Sequence, residues 1–129
     1  MRATAAAFAG AALALAAAAV AAPSPAAAQG WVPARQAKLQ ALDKVTARVT
    51  VLDATVGDPT RFGTLTITVG ACHARPPDEV PDAAAFLVVT DRLAPPDAPP
   101  AFRGWMLANA PSASMMEHPV YDLRVLECR

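Results

Sequence analysis

Two histidines, His73 and His118, are the side chains of this sequence best suited to act as a general base at neutral pH. A hydrolase would need a nucleophile beside such a base, and Ser114 and Asp122 lie on either side of His118. Serines in a short turn more often cap the backbone. The sequence also has no G-x-S-x-G, P-loop, H-E-x-x-H or G-x-G-x-x-G motif. We therefore predict no catalytic residues and a protein that is not an enzyme, with a small hydrolase as an alternative.

Three methionines near His118 suggest a second kind of chemistry. Thioether and imidazole groups are ligands that suit Cu(I), so Met106, Met115 and Met116 with His118 could handle copper in the cell envelope. Methionine is more commonly a filler of protein cores. Adjacent methionines on one helical turn also cannot point the same way. We predict no metal site and no cofactor, and copper handling remains an alternative.

The aromatic side chains could form a platform for a glycan or a peptide, with Trp31, Trp105 and Tyr121 as its members. The other interpretation places Trp105 in the core and buries Tyr121 with its hydroxyl hydrogen-bonded. We expect Trp105, Met106 and Tyr121 to lie close together, on two strands joined by a turn at His118-Pro119. The candidate binding surface comprises Trp105, Met106, Met115, His118, Tyr121 and Asp122.

The two cysteines, Cys72 and Cys128, are predicted to form a disulfide. An even cysteine count in an exported chain favours a cross-link. Each cysteine follows an alternating apolar run, so both are expected at strand ends on the rim of the domain. If the two strands are neighbours, their Cα atoms can approach to the roughly 5.5 Å that a disulfide needs.

The N-terminal residues have the pattern of a cleaved secretory signal. Arg2 is followed by an apolar run over residues 5–22, which Pro23 and Pro25 interrupt, and small residues lead to an A-x-A site ending at Ala28. We predict a signal peptide over residues 1–28, a mature protein without a membrane span, and a location in the periplasm. The whole sequence has 11 Lys and Arg against 11 Asp and Glu, which argues against a nucleic-acid partner.

The periodicity of the remaining chain predicts one all-β domain over residues 43–129. Residues alternate between apolar and polar over 44–51, 61–72, 102–108 and 120–128, and residues 83–91 form an apolar run. A turn of helix is expected after Asn109, where Pro111 fits a first helical position. The predicted fold is a small antiparallel β-sandwich or open barrel of five to seven strands with one short helical turn.

Two local expectations accompany this fold. Residues 29–42 are polar and tolerate a helix, so they are predicted to form an N-terminal arm or short helix on the domain edge. In the strand predicted over residues 44–51, the apolar residues Val45, Ala47, Val49 and Val51 are predicted to face inward.

Several short segments resemble one known protein family. They are Leu42–Thr46, Phe62-Gly63, Ala71-Cys72, Arg75–Pro77, Ala85–Leu87, Gly104–Met106, His118–Asp122 and Cys128. The chain is similar to the small exported alphaproteobacterial proteins grouped as domain of unknown function 2155. It departs from their pattern at Ala47, where glycine is expected. The resemblance implies export and a shared compact domain, and it implies no activity.

Export, small size and the absence of catalytic motifs together favour a non-enzymatic binding or structural protein of the envelope. Its expected partner is another envelope protein or a cell-wall component. The sequence does not identify that partner.

Overall fold

A computed structural model describes residue 5 and residues 30–129 of the chain. Apart from residue 5, the predicted signal segment and its cleavage point after Ala28 lie outside the described residues. No helix in the described part is both long enough and apolar enough to cross a membrane. The described chain is almost entirely strand and turn, which confirms the all-β prediction.

Eight strands and one 3₁₀ turn make up the fold of the described residues. The turn is Pro111–Ala113, which confirms the predicted short helical turn. The strand count exceeds the predicted five to seven because β1 and β2 lie in the segment predicted as an arm and because the three-residue β4 is a further strand. The strands are β1 Val32–Pro33, β2 Gln36–Asp43, β3 Arg48–Thr55, β4 Thr60–Phe62, β5 Leu65–Ala74, β6 Ala83–Asp91, β7 Phe102–Leu107 and β8 Tyr121–Cys128.

Two antiparallel sheets face each other as a sandwich. The larger sheet has the order β1-β5-β6-β7, with β4 paired to β5, and the smaller sheet has the order β3-β2-β8. Side chains from the inner faces of both sheets form one core. Its largest fully buried aliphatic members are Leu39, Leu65, Ile67, Val69, Leu87 and Val89.

The prediction of an arm or short helix over residues 29–42 is wrong, because Gln36–Asp43 is the central strand of the smaller sheet. Its inward residues are Ala37, Leu39 and Ala41, all fully buried. Alanine, leucine, lysine and glutamine are good helix formers, so local propensity hid the period of two. Pairing with β3 on one side and β8 on the other determines the strand instead.

The inward face of β3 is also the opposite of the predicted one. Val49 and Val51 are 55% and 54% exposed, whereas Ala54 is fully buried. Lys44–Ala47 forms the turn before β3, and Ala47 takes a φ of 55°. This left-handed conformation favours glycine, which is the residue expected there from the family resemblance.

A β-bulge in each cysteine-bearing strand decides where the disulfide lies. The pairing of β5 with β6 shifts at Gly70, and the pairing of β8 with β2 shifts at Leu126. Each bulge adds one residue and reverses the face of the residues that follow it. Cys72 and Cys128 therefore both point into the core, with 1% and 5% exposure, rather than lying on the rim.

The predicted disulfide between Cys72 and Cys128 is present, with the two Cα atoms 5.6 Å apart. The strands that carry the two cysteines, β5 and β8, are not paired neighbours, so the condition of adjacent strands is not met. Cys72 belongs to the larger sheet and Cys128 to the smaller one, so the bond joins the two layers of the sandwich.

Candidate functional site

The predicted binding surface does not form a single surface in the structure. Met106 and Tyr121 are 3% and 9% exposed and belong to the core, whereas Trp105 is 44% exposed on the outer face of the larger sheet. Successive residues of a strand point to opposite faces, so Trp105 and Met106 cannot share one. The expected proximity of Trp105 and Tyr121 is therefore wrong. The Tyr121 ring packs against Phe62 and His118, with ring centroids 5.5 and 5.2 Å away.

The methionine cluster is also divided. Met115 is 59% exposed, and its neighbour Met116 is 4% exposed within the core. Met115 lies with Asp122 in a shallow cavity of about 270 Å³ beside the 3₁₀ turn. Met115 therefore lies in a different environment from Met106 and Met116, so the three thioether groups do not form one cluster.

His118 lies in the connection between β7 and β8 and anchors the end of this connection to β6 of the larger sheet. Its Nε2 lies 2.8 Å from Oδ2 of Asp91, at the end of β6. Its Nδ1 accepts hydrogen bonds from the backbone N–H groups of Val120 and Tyr121, at 3.0 and 3.1 Å. The tautomer with its proton on Nε2 satisfies all three contacts. Both ring nitrogens are thus engaged in holding the fold, and a general base would have to give up one of these bonds.

The His118–Asp91 contact makes stability depend on pH. Hydrogen bonds from His118, from the backbone of Leu93 and from Thr64 lower the pKa of Asp91 from 3.8 to about 2. A lowered pKa in the folded state stabilises the protein above pH 4, and this contribution disappears as the pH falls from about 4 to about 2. We expect Asp91→Asn to lose roughly 2 kcal/mol of unfolding free energy at pH 6, and almost none relative to wild type at pH 2.

Urea denaturation of both proteins across this pH range measures the difference. The exposed Asp58 provides a matched control, because Asp58→Asn removes the same charge from a turn. A difference between wild type and Asp91→Asn that stays constant from pH 6 to pH 2 would contradict the assigned contact.

An apolar groove on the outer face of the larger sheet brings together the two tryptophans of the chain. Its volume is about 390 Å³, and it is lined by Trp31, His73, Ala84, Trp105 and Leu107. The pairing of strands explains the grouping, since Ala84 of β6 lies opposite His73 of β5 on one side and Leu107 of β7 on the other. The small side chain of Ala84 leaves the floor of the groove open between these neighbours.

Trp105 is held in a fixed orientation although nearly half of it is exposed. Its ring meets the rings of His73 and Phe86 in edge-to-face contacts, with centroids 5.8 and 5.6 Å apart. Such contacts favour one orientation of the ring and add to the stabilisation from burial. Trp105 therefore presents a rigid aromatic surface to solvent.

Trp31 is fixed by a cation. The guanidinium carbon of Arg75 lies 4.1 Å from the centre of the Trp31 ring. Arg75 is itself positioned by Glu79, with Nη1 and Oε2 3.7 Å apart. The cation–π contact holds the indole beside the groove and places a positive charge at its border.

The sequence identified part of this site. Trp31 and Trp105 belong to the predicted aromatic platform. Tyr121 follows the other interpretation, because it is buried and its hydroxyl accepts a hydrogen bond from Thr64 N–H, whereas that interpretation is wrong for the exposed Trp105. His73, Ala84, Leu107 and Arg75 were missed as lining or border residues. Their alternation within strands was readable, but the register that places His73, Ala84 and Leu107 in one row was not.

The chemistry of the groove is that of apolar contact with few hydrogen bonds. Two indole rings can pack against a flat or ring-shaped apolar group. Among the described residues that line the groove, the side-chain polar atoms belong to the imidazole of His73 and to the two indole N–H groups.

Comparison with known proteins gives a family and no activity. The family model described as "Uncharacterized protein conserved in bacteria (DUF2155)" matches residues 37–128. An uncharacterised protein of Rickettsia prowazekii (strain Madrid E) is 28% identical over 91 residues, which cover 70% of this chain and 59% of the relative. The matched region thus spans about three fifths of that protein's length. No solved structure matches the chain significantly.

Proposed function

The chain belongs to the DUF2155 family of uncharacterised bacterial proteins, and we propose that it is an exported, non-enzymatic binding protein of the cell envelope. Its ligand in this proposal is an extended proline-rich segment of another protein, held in the groove between Trp31 and Trp105.

The observation that carries the proposal is the 44% exposure of Trp105 on a sheet face where its orientation is already fixed. Tryptophan is the residue most often responsible for binding energy at protein interfaces. Because the ring is held by His73 and Phe86, a ligand would not need to order it. Grooves lined by aromatic rings are the usual receptors for polyproline II segments, whose conformation is also largely preformed.

The lining of the groove favours a peptide over a glycan. A sugar carries hydroxyl groups around its ring, and each one that is buried without a partner costs free energy. The groove offers only one imidazole and two indole N–H groups as side-chain polar partners. A proline-rich segment needs fewer partners, because proline has no backbone N–H group.

A titration with a decaproline peptide tests this function. The chain has two tryptophans, and both line the groove, so tryptophan fluorescence and the indole N–H resonances both report on it directly. We expect saturable binding by wild type. Trp105→Ala should weaken it about tenfold or more, because truncating a central aromatic anchor typically costs more than 1 kcal/mol.

A matched control is Val51→Ala, which shortens an exposed apolar side chain on the outer face of the smaller sheet. It should leave the affinity unchanged. Binding of soluble cell-wall glycan fragments with no binding of decaproline would replace the peptide with a glycan. Equal affinity in Trp105→Ala and wild type would refute the groove as the site.

Support for export comes from the signal-like sequence before Gln29 and from the disulfide, since such bonds persist in oxidising compartments. Mass spectrometry of the protein in the envelope fraction tests this part of the proposal. The expected N-terminus is Gln29. A full-length chain retained in membranes would contradict it.

A further inference from the structure

The connection between β6 and β7 is an exposed protrusion rich in proline. Leu93 is 80% exposed, and the loop contains Pro95, Pro96, Pro99 and Pro100, all of them exposed. Hydrogen bonds fix its shape. Ala94 N–H donates to Asp91 O at 3.1 Å, and Ala98 N–H donates to Pro95 O at 3.0 Å. Residues 93–100 therefore form a preordered apolar projection, here called the proline loop.

The proline loop and the groove are complementary in charge as well as in apolar character. The exposed Asp97 is the only charged residue within the proline loop. Among the described residues, Arg103 supplies an unshared positive charge beside the groove, since it is exposed two residues before Trp105 on the same face of β7. Arg75 lies on the Trp31 ring and shares its charge with Glu79. Such complementarity favours one partner and one orientation.

The two surfaces lie at opposite ends of the larger sheet. Ala84 and Leu107 are paired at the groove end, whereas Val89 and Phe102 are paired at the end where the proline loop begins. The distance from Ala84 to Asp91, seven residues further along β6, is about 24 Å at the usual rise of a strand. Hydrogen bonds from Arg92 to the backbone oxygens of Thr64 and Gly63 hold the base of the loop at that end. The proline loop therefore cannot reach the groove of its own molecule.

We propose that the groove binds the proline loop of a second copy of this chain. This inference rests on the proposed function and names its partner. Since one copy gives its groove and the other its loop, the contact is heterologous. The resulting assembly keeps one free groove at one end and one free proline loop at the other. Contacts of this type build head-to-tail assemblies that extend unless the rotation between copies closes a ring.

Sedimentation of purified protein from micromolar to millimolar concentration tests the proposal. The average mass of the wild-type assemblies should increase with concentration and exceed that of a dimer. Ala84→Phe fills the floor of the groove and keeps the loop, whereas the double variant Leu93→Ser, Asp97→Lys alters the loop and keeps the groove. Each variant alone should remain a monomer, with self-association at least tenfold weaker than in wild type. Val51→Ala is the control and should assemble as wild type does.

Mixing the two variants gives the sharper result. The intact loop of Ala84→Phe can enter the intact groove of the loop variant, so an equimolar mixture should form a 1:1 dimer that grows no further. Melting curves test first whether both variants are folded. If Ala84→Phe does not fold, Trp105→Ala serves as a second groove variant.

Two outcomes would overturn the proposal. The first is that wild type remains monomeric at all concentrations. The second is that either variant assembles as wild type does. If decaproline still binds such a monomer, the proposed function stands and only the second copy is the wrong partner. If decaproline does not bind either, the proposed function fails too.

Discussion

Replacing Cys128 with serine is expected to lower the free energy of unfolding by about 4 kcal/mol, the value that chain entropy gives for a bond closing this length of loop. The two cysteines are 56 residues apart in the sequence, and their bond joins the larger sheet to the smaller one. Without it, the unfolded chain regains its freedom and the two layers are held by packing alone. For a domain of this size the melting temperature should fall by about 15–30 °C.

Cys72→Ser should have the same effect, and the double variant should cost little more than either single one, because all three remove one cross-link. Cys128→Ala is the control for burying a hydroxyl group at a site that is 5% exposed. Thermal unfolding with and without a reducing agent gives the measurement. Two free thiols in unfolded, unreduced protein would rule out the bond.

Gly63→Ala is expected to destabilise the protein by about 2–4 kcal/mol, through steric overlap and an unfavourable backbone conformation together. Gly63 lies in the turn between β4 and β5, with a φ of 55°. A methyl group there would overlap the hydroxyl and ring carbons of Tyr121. The buried Tyr121 ring has little room to move, because its hydroxyl also accepts a hydrogen bond from Thr64 N–H at 3.4 Å.

Gly57→Ala separates the two causes. Gly57 also has a positive φ, of 89°, but a methyl group there would meet nothing within 4 Å. Its expected cost is about 1 kcal/mol from the backbone alone. In a Tyr121→Leu background, the cost of Gly63→Ala should fall towards that value, which chemical denaturation can measure as a coupling energy. Equal costs for Gly57→Ala and Gly63→Ala in the wild-type background would contradict the assigned overlap.

Only part of the candidate site could be predicted from the sequence. The two tryptophans were found because their type already indicates a possible binding platform. Tyr121 is grouped with them because the connection through His118-Pro119 is expected to bring its strand beside that of Trp105. That connection crosses from one sheet to the other, so Tyr121 faces the core and Trp105 faces solvent. His73 and Ala84 carry no local signal of their own, and only the register placed them beside Leu107.

The sequence by itself determined the all-β class, the short helical turn at Pro111, the identity of the disulfide and the resemblance to the family. These depend on residue type and on short-range period, which local sterics and composition express directly. Only the tertiary structure decided that Gln36–Asp43 is a central strand, that Val49 and Val51 face outward, and that both cysteines point into the core. The reason is physical: the first two depend on which strand lies alongside, and the direction of the cysteines depends on a bulge of one residue in each of their strands. A shift of one residue reverses every side chain beyond it while leaving the local pattern almost unchanged.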